Sequence, residues 1–375
     1  MILNNELVDA SSTDDAKPKE SKVIDAQVTQ PLNRYLRGLT WGFALAAAAL
    51  LGHAHAQPKS VALDTIKQRG NLKCGVYENS PGLAALNDKG EWVGFDVDYC
   101  RALTAAILGD AKKTQFVKLT FAQSMPALRS GEIDVAAMAI TYTSLRDTEL
   151  GFDFVGPTLY SGHGFMVHKR TGAINLSDLN GASICVIAGA ATESLIADYF
   201  RPRNMTFKPV AVEGSTQMMS MYEDGRCDVV TLEPPFLAMR RARMKAPDDH
   251  IILNETFAKS HMGPVIREDD RVFSNVARWV HYALVTAEEL GIDASNVDTM
   301  KESKNPDVRR FLGLEGGIGS KMGLTDDFTV NVIKAVGNYG DIWDRNIGLK
   351  SPGMLPRGMN ALARDGGLQW APNWR

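Results

Sequence analysis

Arg146 is the residue of this sequence that is best suited to bind an anion, because it follows a loop that leaves an apolar strand. The strand is predicted at Ile133–Met138, and the loop contains Ala139-Ile-Thr141. A planar guanidinium matches a carboxylate with two parallel hydrogen bonds. Considered by itself, the residue is better explained by a surface ion pair with Asp147 or Glu149.

Two further candidate groups lie in the second half of the sequence. Gly189-Ala-Ala191 predicts a tight loop before a helix that Thr192 would cap, and the free amides of a first helical turn suit a carboxylate. Glu233, an acidic side chain that follows a predicted strand, is the second candidate. The alternative for Glu233 is a solvated loop side chain before Pro234-Pro235.

The composition excludes several other kinds of chemistry. The 375 residues carry 41 basic and 44 acidic side chains, a net charge of −3, which does not indicate a nucleic-acid partner. No histidine has a second ligand at metal-binding spacing, so we predict no metal site. Nucleotide-binding and hydrolase motifs are absent in the right context, so no cofactor is expected.

The candidates lie in a chain that alternates strands and helices. Both halves carry one local pattern, Ser-Gly-Glu-Ile-Asp-Val at 130–135 and Asp-Gly-Arg-Cys-Asp-Val at 224–229, in which Gly ends a helix and Asp opens a strand. This βαβ order predicts an α/β fold with two units of similar build, each a parallel sheet covered by helices. Helices dominate after residue 270.

Residues 1–56 differ from the rest and predict an exported protein. A polar lead precedes a basic flank, a short apolar run and a small-residue end, which are Arg34 and Arg37, Leu39–Leu51, and Ala54-His55-Ala56. This is the pattern of a secretory signal peptide cleaved after Ala56. The apolar run of about thirteen residues is shorter than the ~20 that span a bilayer. The alternative is an uncleaved anchor.

Many stretches between residues 61 and 375 carry a family likeness, in chain order. They include Cys74-Gly-Val76, Gly94-Phe-Asp-Val-Asp-Tyr-Cys100, Thr143-Ser-Leu-Arg-Asp-Thr148, Gly162-His-Gly-Phe-Met-Val167, Gly225-Arg-Cys-Asp-Val229 and Val332-Ile-Lys-Ala-Val-Gly-Asn-Tyr-Gly340. Together they resemble the solute-binding proteins of polar-amino-acid ABC importers, extracellular family 3. The likeness is greatest to the periplasmic general L-amino-acid-binding proteins.

The resemblance implies a two-lobed periplasmic-binding-protein (Venus-flytrap) fold. Two α/β lobes are joined by two hinge strands, and the ligand lies between the lobes. We expect residues 57–160 and 265–375 to form lobe 1 and residues 161–264 to form lobe 2, with 1–56 as the lead and signal peptide. Ligand sites at the carboxyl ends of strands are also expected of open α/β sheets in general.

The resemblance also assigns roles to site residues. Arg146 would bind the ligand's α-carboxylate, with Thr141 and Ala139 beside it and with Ala191 and Thr192 opposite. The alternative for Thr141 is a loop hydroxyl that bonds its own backbone.

On the side of the ligand's α-ammonium, the resemblance points to Glu233. Tyr77 and Glu78 lie in the region where the family's members carry an acid and an aromatic lid.

Several positions depart from the family pattern. Ala190 and Ala191 stand where two threonines are usual, Ala139 and Ile140 replace polar residues, and Glu233 replaces a shorter aspartate. A site built for hydrogen bonds rejects ligands when partners are missing. We therefore hypothesise a ligand that is bulkier or less polar at one end than the common polar amino acids.

The four cysteines allow three pairings. The lobes implied by the resemblance place Cys74 with Cys100 and Cys185 with Cys227. A bond between lobes would oppose closure, and export favours oxidation, so we predict these two disulfides. The alternative is four buried free thiols.

The function that the resemblance implies is the periplasmic substrate-binding component of an ABC importer, not an enzyme. We expect a monomer that closes on a small-molecule ligand, an amino acid or an analogue, and then presents its closed form to a membrane permease. Two alternatives are a flytrap-fold dehydratase acting on a cyclic carboxylate, with Glu233 or Glu78 as general acid, and a ligand-binding sensory module.

Overall fold

The computed structural model describes residues 59–77, 80–148 and 150–375. The predicted signal peptide, its cleavage point after Ala56, and Glu78 lie outside these residues. Within them, no helix is long and apolar enough to cross a membrane.

The first part of the chain supplies most strands of a first sheet and several of its helices. Its elements are α1 (Val61–Arg69), β1 (Leu72–Val76), β2 (Ala85–Leu86), β3 (Trp92–Val93), α2 (Phe95–Leu108), β4 (Thr114–Lys118), α3 (Phe121–Ser130), β5 (Val135–Ala136), α4 (Ser144–Thr148) and β6 (Phe152–Phe154). Strand β1 pairs in parallel with β4 and β5, as the βαβ order predicts. The predicted strand at 133–138 is shorter than expected, because regular pairing ends at Ala136.

The middle of the chain builds a second sheet. Its elements are β7 (Leu159–His168), β8 (Ser183–Ile187), α5 (Thr192–Phe200), β9 (Lys208–Val212), α6 (Ser215–Glu223), β10 (Val229–Leu232), α7 (Pro234–Arg241), β11 (His250–Ile252) and β12 (Ala258–Met262). Strand β8 pairs in parallel with β9 and β10. Strand β7 is antiparallel to β10, β11 and β12, so this sheet is mixed rather than wholly parallel.

The two sheets are linked by the long strand β7 and the returning strand β12. After β12 the chain forms β13 (Val265–Arg267), which lies between β5 and β6 and is antiparallel to both. The first sheet therefore has the order β4-β1-β5-β13-β6, and the second has the order β11-β7-β10-β8-β9. This is the predicted flytrap architecture of two α/β lobes joined by two strands.

The glycine and aspartate pattern that the two halves share has the same structural role in each lobe. Gly131 and Gly225 adopt positive φ angles of 76° and 72° where a helix stops. The Asp134 carboxylate then accepts a hydrogen bond from the amide of Lys73, and the Asp228 carboxylate accepts one from the amide of Ser183. Each aspartate thus fixes the start of the neighbouring parallel strand.

The last part of the chain covers the first sheet with helices. They are α8 (Arg271–Glu289), α9 (Pro306–Phe311), α10 (Ile318–Lys321), α11 (Phe328–Val336) and α12 (Tyr339–Asn346). Helix α8 packs on α2, α11 and α12 through a buried stripe that includes Val276, Val280 and Leu284. The irregular C-terminal arm ends on the same lobe, where the Trp374 Nε1 donates to Thr286 Oγ1 at 2.7 Å.

Both cysteine pairs lie inside a lobe. Cys74 on β1 is bonded to Cys100 on α2, and Cys185 on β8 is bonded to Cys227 just before β10. These are the pairs that the sequence analysis expected.

Candidate functional site

A cavity of about 60 Å³ lies between the two lobes. This exceeds the roughly 10–15 Å³ that a single water molecule needs, so the cavity can admit water or the polar end of a small ligand. The candidates that fall within the described residues line it together: Tyr77, Ala139, Thr141, Arg146, Ala191, Thr192 and Glu233. Of the departures from the family pattern, Ala190 also lines the cavity, whereas Ile140 is buried in the core of lobe 1.

Arg146 lies on α4 and reaches across the cavity. Its Nη1 donates to the backbone oxygen of Thr141 at 2.9 Å, and its Nη2 donates to the backbone oxygen of Gly189 in the other lobe at 3.2 Å. Two of the five guanidinium N–H groups are thus occupied, which leaves donors for a ligand. Burial lowers the pKa of Arg146.

The ion pair considered as the alternative for Arg146 does not form with Asp147. In the described part of the chain, Arg146 has no ion-pair partner, and Asp147 instead accepts a hydrogen bond from the Tyr142 hydroxyl at 3.3 Å. A cation without a carboxylate partner in a lined cavity is suited to bind an incoming anion.

The loop from Ala139 to Thr141 is held in an unusual conformation. Ala139 has φ of 48°, in the left-handed region that residues with a side chain seldom adopt. Its amide donates to Asp96 Oδ2 at 2.9 Å, which fixes this turn. Thr141 is buried and forms a β-bridge with Met262, so the loop is tied to the hinge strand β12.

Asp96 is a cavity residue that the sequence reasoning missed. It lies in the first turn of α2, is 5% exposed and lines the cavity. Burial raises the pKa of Asp96 to about 7, although the Ala139 amide opposes the shift. Its position just after Gly94-Phe95, at a helix start, is the sequence signal that could have indicated it.

Glu233 precedes α7 and is buried, at 6% exposed, rather than solvated in a loop. Its Oε1 accepts a hydrogen bond from Ser260 Oγ at 2.6 Å. The side chain does not cap its own helix. This buried carboxylate, with one oxygen held in place, lines the same cavity as Arg146, so the site offers both charges.

The loop before α5 contributes backbone rather than hydroxyl groups. Ala191, not Thr192, occupies the N-cap position, and no side chain caps this helix. The prediction that Thr192 caps the helix was wrong, because the helix begins at Thr192 itself. The first turn of this helix has no side-chain cap, and Ala191 and Thr192 line the cavity, an arrangement that suits a carboxylate.

Tyr77 contacts both lobes. It is buried, packs on Phe121 with ring centroids 4.6 Å apart, and lines the cavity. Its hydroxyl oxygen accepts a hydrogen bond from the amide of Ser215, the first residue of α6, at 2.6 Å. Tyr77 therefore joins the lobes.

Two more charged or titratable side chains of the cavity escaped the sequence reasoning. Arg240 lies seven positions after Glu233, two turns further along α7, and burial lowers its pKa to about 10. A helical pattern after Pro234-Pro235 would have placed both residues on one face. His163 on β7 was considered only as a metal ligand.

The chain is similar in sequence to proteins of one family. Residues 72–280 match the model of the bacterial extracellular solute-binding proteins, family 3. A general L-amino acid-binding periplasmic protein of Rhizobium johnstonii is 44% identical over 327 residues, 87% of this chain and 96% of the relative. A glutamate/glutamine/aspartate/asparagine-binding protein of Rhodobacter capsulatus is 42% identical over 336 residues, 89% of this chain and 98% of the relative.

Among solved structures, an ABC transporter periplasmic binding protein from Brucella ovis with glutathione bound is similar throughout. It is 45% identical, has a TM-score of 0.81, and covers 84% of this chain and 100% of its own.

Proposed function

Because the chain belongs to the bacterial extracellular solute-binding proteins, family 3, we propose that its interlobe cavity binds an L-amino acid or a related compound with a free α-amino and α-carboxylate group. The chain is an amino-acid-binding component of an ABC importer. The finer assignment of residues below is our proposal.

One observation carries the assignment: a cation and an anion line the same buried cavity from different lobes. Arg146 belongs to lobe 1, and Glu233 follows β10 of lobe 2. A zwitterion between them would satisfy both charges. Arg146 binds the α-carboxylate with Thr141, Ala139 and the amides at Ala191 and Thr192, and Glu233 accepts hydrogen bonds from the α-ammonium.

Closure of the lobes follows from this division of contacts. Only the closed form places Arg146 and Glu233 on the ligand together, so the ligand shifts the population toward that form. Direct bonds between the lobes, from Arg146 to Gly189 and from Ser215 to Tyr77, support the same form. The closed surface is then the one that a membrane permease engages.

The relatives' ligands share the chemistry that the proposed site recognises. General L-amino acids and the four acidic and amide amino acids carry an α-amino carboxylate, and glutathione carries one at its glutamyl end. The apolar side of the cavity, with Leu83, Phe121 and Phe236, supports the hypothesis of a ligand that is bulkier or less polar at one end.

We further propose that the exported chain begins after Ala56 and acts as a monomer without turning over its ligand. Lobe 1 comprises 57–160 and 265–375, and lobe 2 comprises 161–264. Intact mass after secretion, light scattering and recovery of unchanged ligand would each test one of these points.

The decisive test is isothermal titration of the mature chain with the twenty amino acids and glutathione, beside variants of Arg146. Lysine keeps the charge but loses the planar fork, so we expect R146K to bind the best ligand about 10- to 100-fold more weakly. R129K is the matched control, because Arg129 bonds Leu150 outside the cavity. If the mature chain binds none of these compounds, the proposed function is rejected.

The same titration decides the ligand hypothesis. If glutamate or glutamine binds with micromolar affinity or better, the idea of an unusual ligand fails while the proposed function stands.

A further inference from the structure

His163 is a buried imidazole without a hydrogen-bond partner. It lies on β7, is 4% exposed and lines the interlobe cavity. Within the described residues, neither Nδ1 nor Nε2 has a hydrogen-bond partner. A buried polar group that stays unpaired costs free energy, which native structures rarely tolerate without a reason.

The surroundings of His163 bring it close to Glu233. One ring face stacks on Phe257, with centroids 5.8 Å apart. A Cβ on the neighbouring Gly164 would lie 3.0 Å from Pro234 Cγ, so the glycine allows the start of α7 to pack against β7. His163 Nδ1 is 3.8 Å from Glu233 Oε1, too far for a hydrogen bond between them.

This spacing suits a donor that lies between the two side chains. A neutral imidazole has one acceptor nitrogen, and a carboxylate oxygen is an acceptor. A primary ammonium has three N–H donors that point in different directions, so one ammonium can donate to both acceptors. Ser260 already binds Glu233 Oε1 and does not bridge to His163.

We propose that His163 completes the ammonium site, so that the protein selects ligands with a primary α-ammonium held by Glu233 and His163 together. This inference rests on the proposed function and adds a specificity-determining residue to it. The imidazole is left unpaired in the protein alone because its partner is the ligand.

The test compares three variants of the mature chain by isothermal titration with its best amino-acid ligand. H163F keeps a ring of similar size without an acceptor, and we expect affinity to fall about 10- to 100-fold. H163Q restores an acceptor and should lie within about threefold of the natural chain. H261F is the matched control, because His261 lies on the adjacent strand β12 outside the cavity.

Two readouts separate a ligand contact from a structural role. Thermal unfolding of the ligand-free H163F variant should occur at the same or a higher temperature than for the natural chain, since an unpaired buried group is removed. The deaminated analogue of the ligand should bind H163F and the natural chain equally. If H163F loses affinity equally for the ligand and for its deaminated analogue, the proposal is overturned.

NMR of ¹⁵N-labelled histidine covers the case in which H163F does not fold. In the natural chain, the ring nitrogens of His163 should shift on saturation with the ligand, and those of His261 should not. Unchanged affinity of H163F, or unchanged His163 resonances, overturns this assignment alone. A natural chain that binds no α-amino acid overturns the proposed function as well.

Discussion

At the scale of single residues, the cleft holds ionisable side chains away from water. Asp96 shows the cost of that arrangement. Its carboxylate holds the left-handed turn at Ala139, a conformation that costs about 1–3 kcal/mol by itself. Burial in turn disfavours the charged form of Asp96. The binding loop is therefore kept in shape by a group that destabilises the fold when it ionises.

The stability of the ligand-free protein should depend on pH through Asp96. Its pKa is about 7 in the folded chain, above about 3.9 for an unfolded aspartate. Between these values the unfolded chain has lost a proton that the folded chain retains, so this group's contribution, up to about 4 kcal/mol, is present below pH 4 and lost as the pH rises to 7.

The variant D96N isolates this effect, because asparagine can still accept from Ala139 and does not ionise. Denaturant unfolding should show D96N more stable than the natural chain at pH 8, with the difference vanishing below pH 4. A variant that is less stable at every pH would contradict the assignment.

At the scale of elements, the residues of the site lie at the termini of strands and helices. They follow β5 and β10, and they lie at the N-termini of α2, α5, α6 and α7. This placement lets one side chain act on another element's terminus. Tyr77, just after β1, accepts from the first amide of α6 and so ties a loop of lobe 1 to a helix of lobe 2. Such a bond contributes to closure without contacting the ligand's charged groups.

Removal of the Tyr77 hydroxyl should weaken ligand binding indirectly. One net hydrogen bond is worth about 0.5–1.5 kcal/mol, so Y77F should lower affinity roughly 2- to 10-fold. Small-angle scattering of the free variant should show a larger radius of gyration. In the control Y99F, the lost bond to Ala277 lies within lobe 1, so stability should fall and affinity should not. Equal affinity of Y77F and the natural chain would count against a role in closure.

At the scale of the whole molecule, two lobes are joined by two strands, and each disulfide lies within one lobe. Cys74–Cys100 and Cys185–Cys227 each brace one lobe, across 26 and 42 residues of chain. Neither bond spans the cleft, so lobe stability and lobe closure can be altered separately.

Reduction of the disulfides should destabilise the protein and leave binding intact. The loop lengths predict losses of about 3.5 and 4 kcal/mol on a chain-entropy estimate. Peptide mapping by mass spectrometry should find both pairs and no free thiol, and the reduced chain should unfold at a lower temperature. At temperatures where it stays folded, its affinity for the ligand should match that of the oxidised chain. A reduced chain that is folded but does not bind would show that the bonds shape the cleft.

The architecture could be predicted well from the sequence because short local patterns specify most of its helices and strands. The recurring glycine and aspartate at 131–134 and 225–228 specify a helix end and a strand start without knowledge of the partner strands. Arg146 and Glu233 were found because they follow strands and carry a family likeness.

The rest depends on contacts distant in sequence. The burial of Asp96 is set by the Ala139 loop, and the unpaired state of His163 is set by what β7 packs against. The left-handed turn at Ala139 could not be predicted, because the sequence has no glycine at this position. The mixed character of both sheets arises where the chain returns, at β7 and β13, and no local pattern encodes that return.

The insertion of β13 between β5 and β6 also dictates an order of events after export. Among the residues that the structure describes, β6 pairs in its sheet with β13 alone. The chain reaches β13 only after it has passed through the whole second sheet. We therefore expect lobe 2, whose strands all lie in one continuous stretch of chain from β7 to β12, to become protected from hydrogen exchange first during refolding. The first lobe would wait with an open sheet edge, so the interval before β13 docks is when the newly secreted chain is most vulnerable to aggregation.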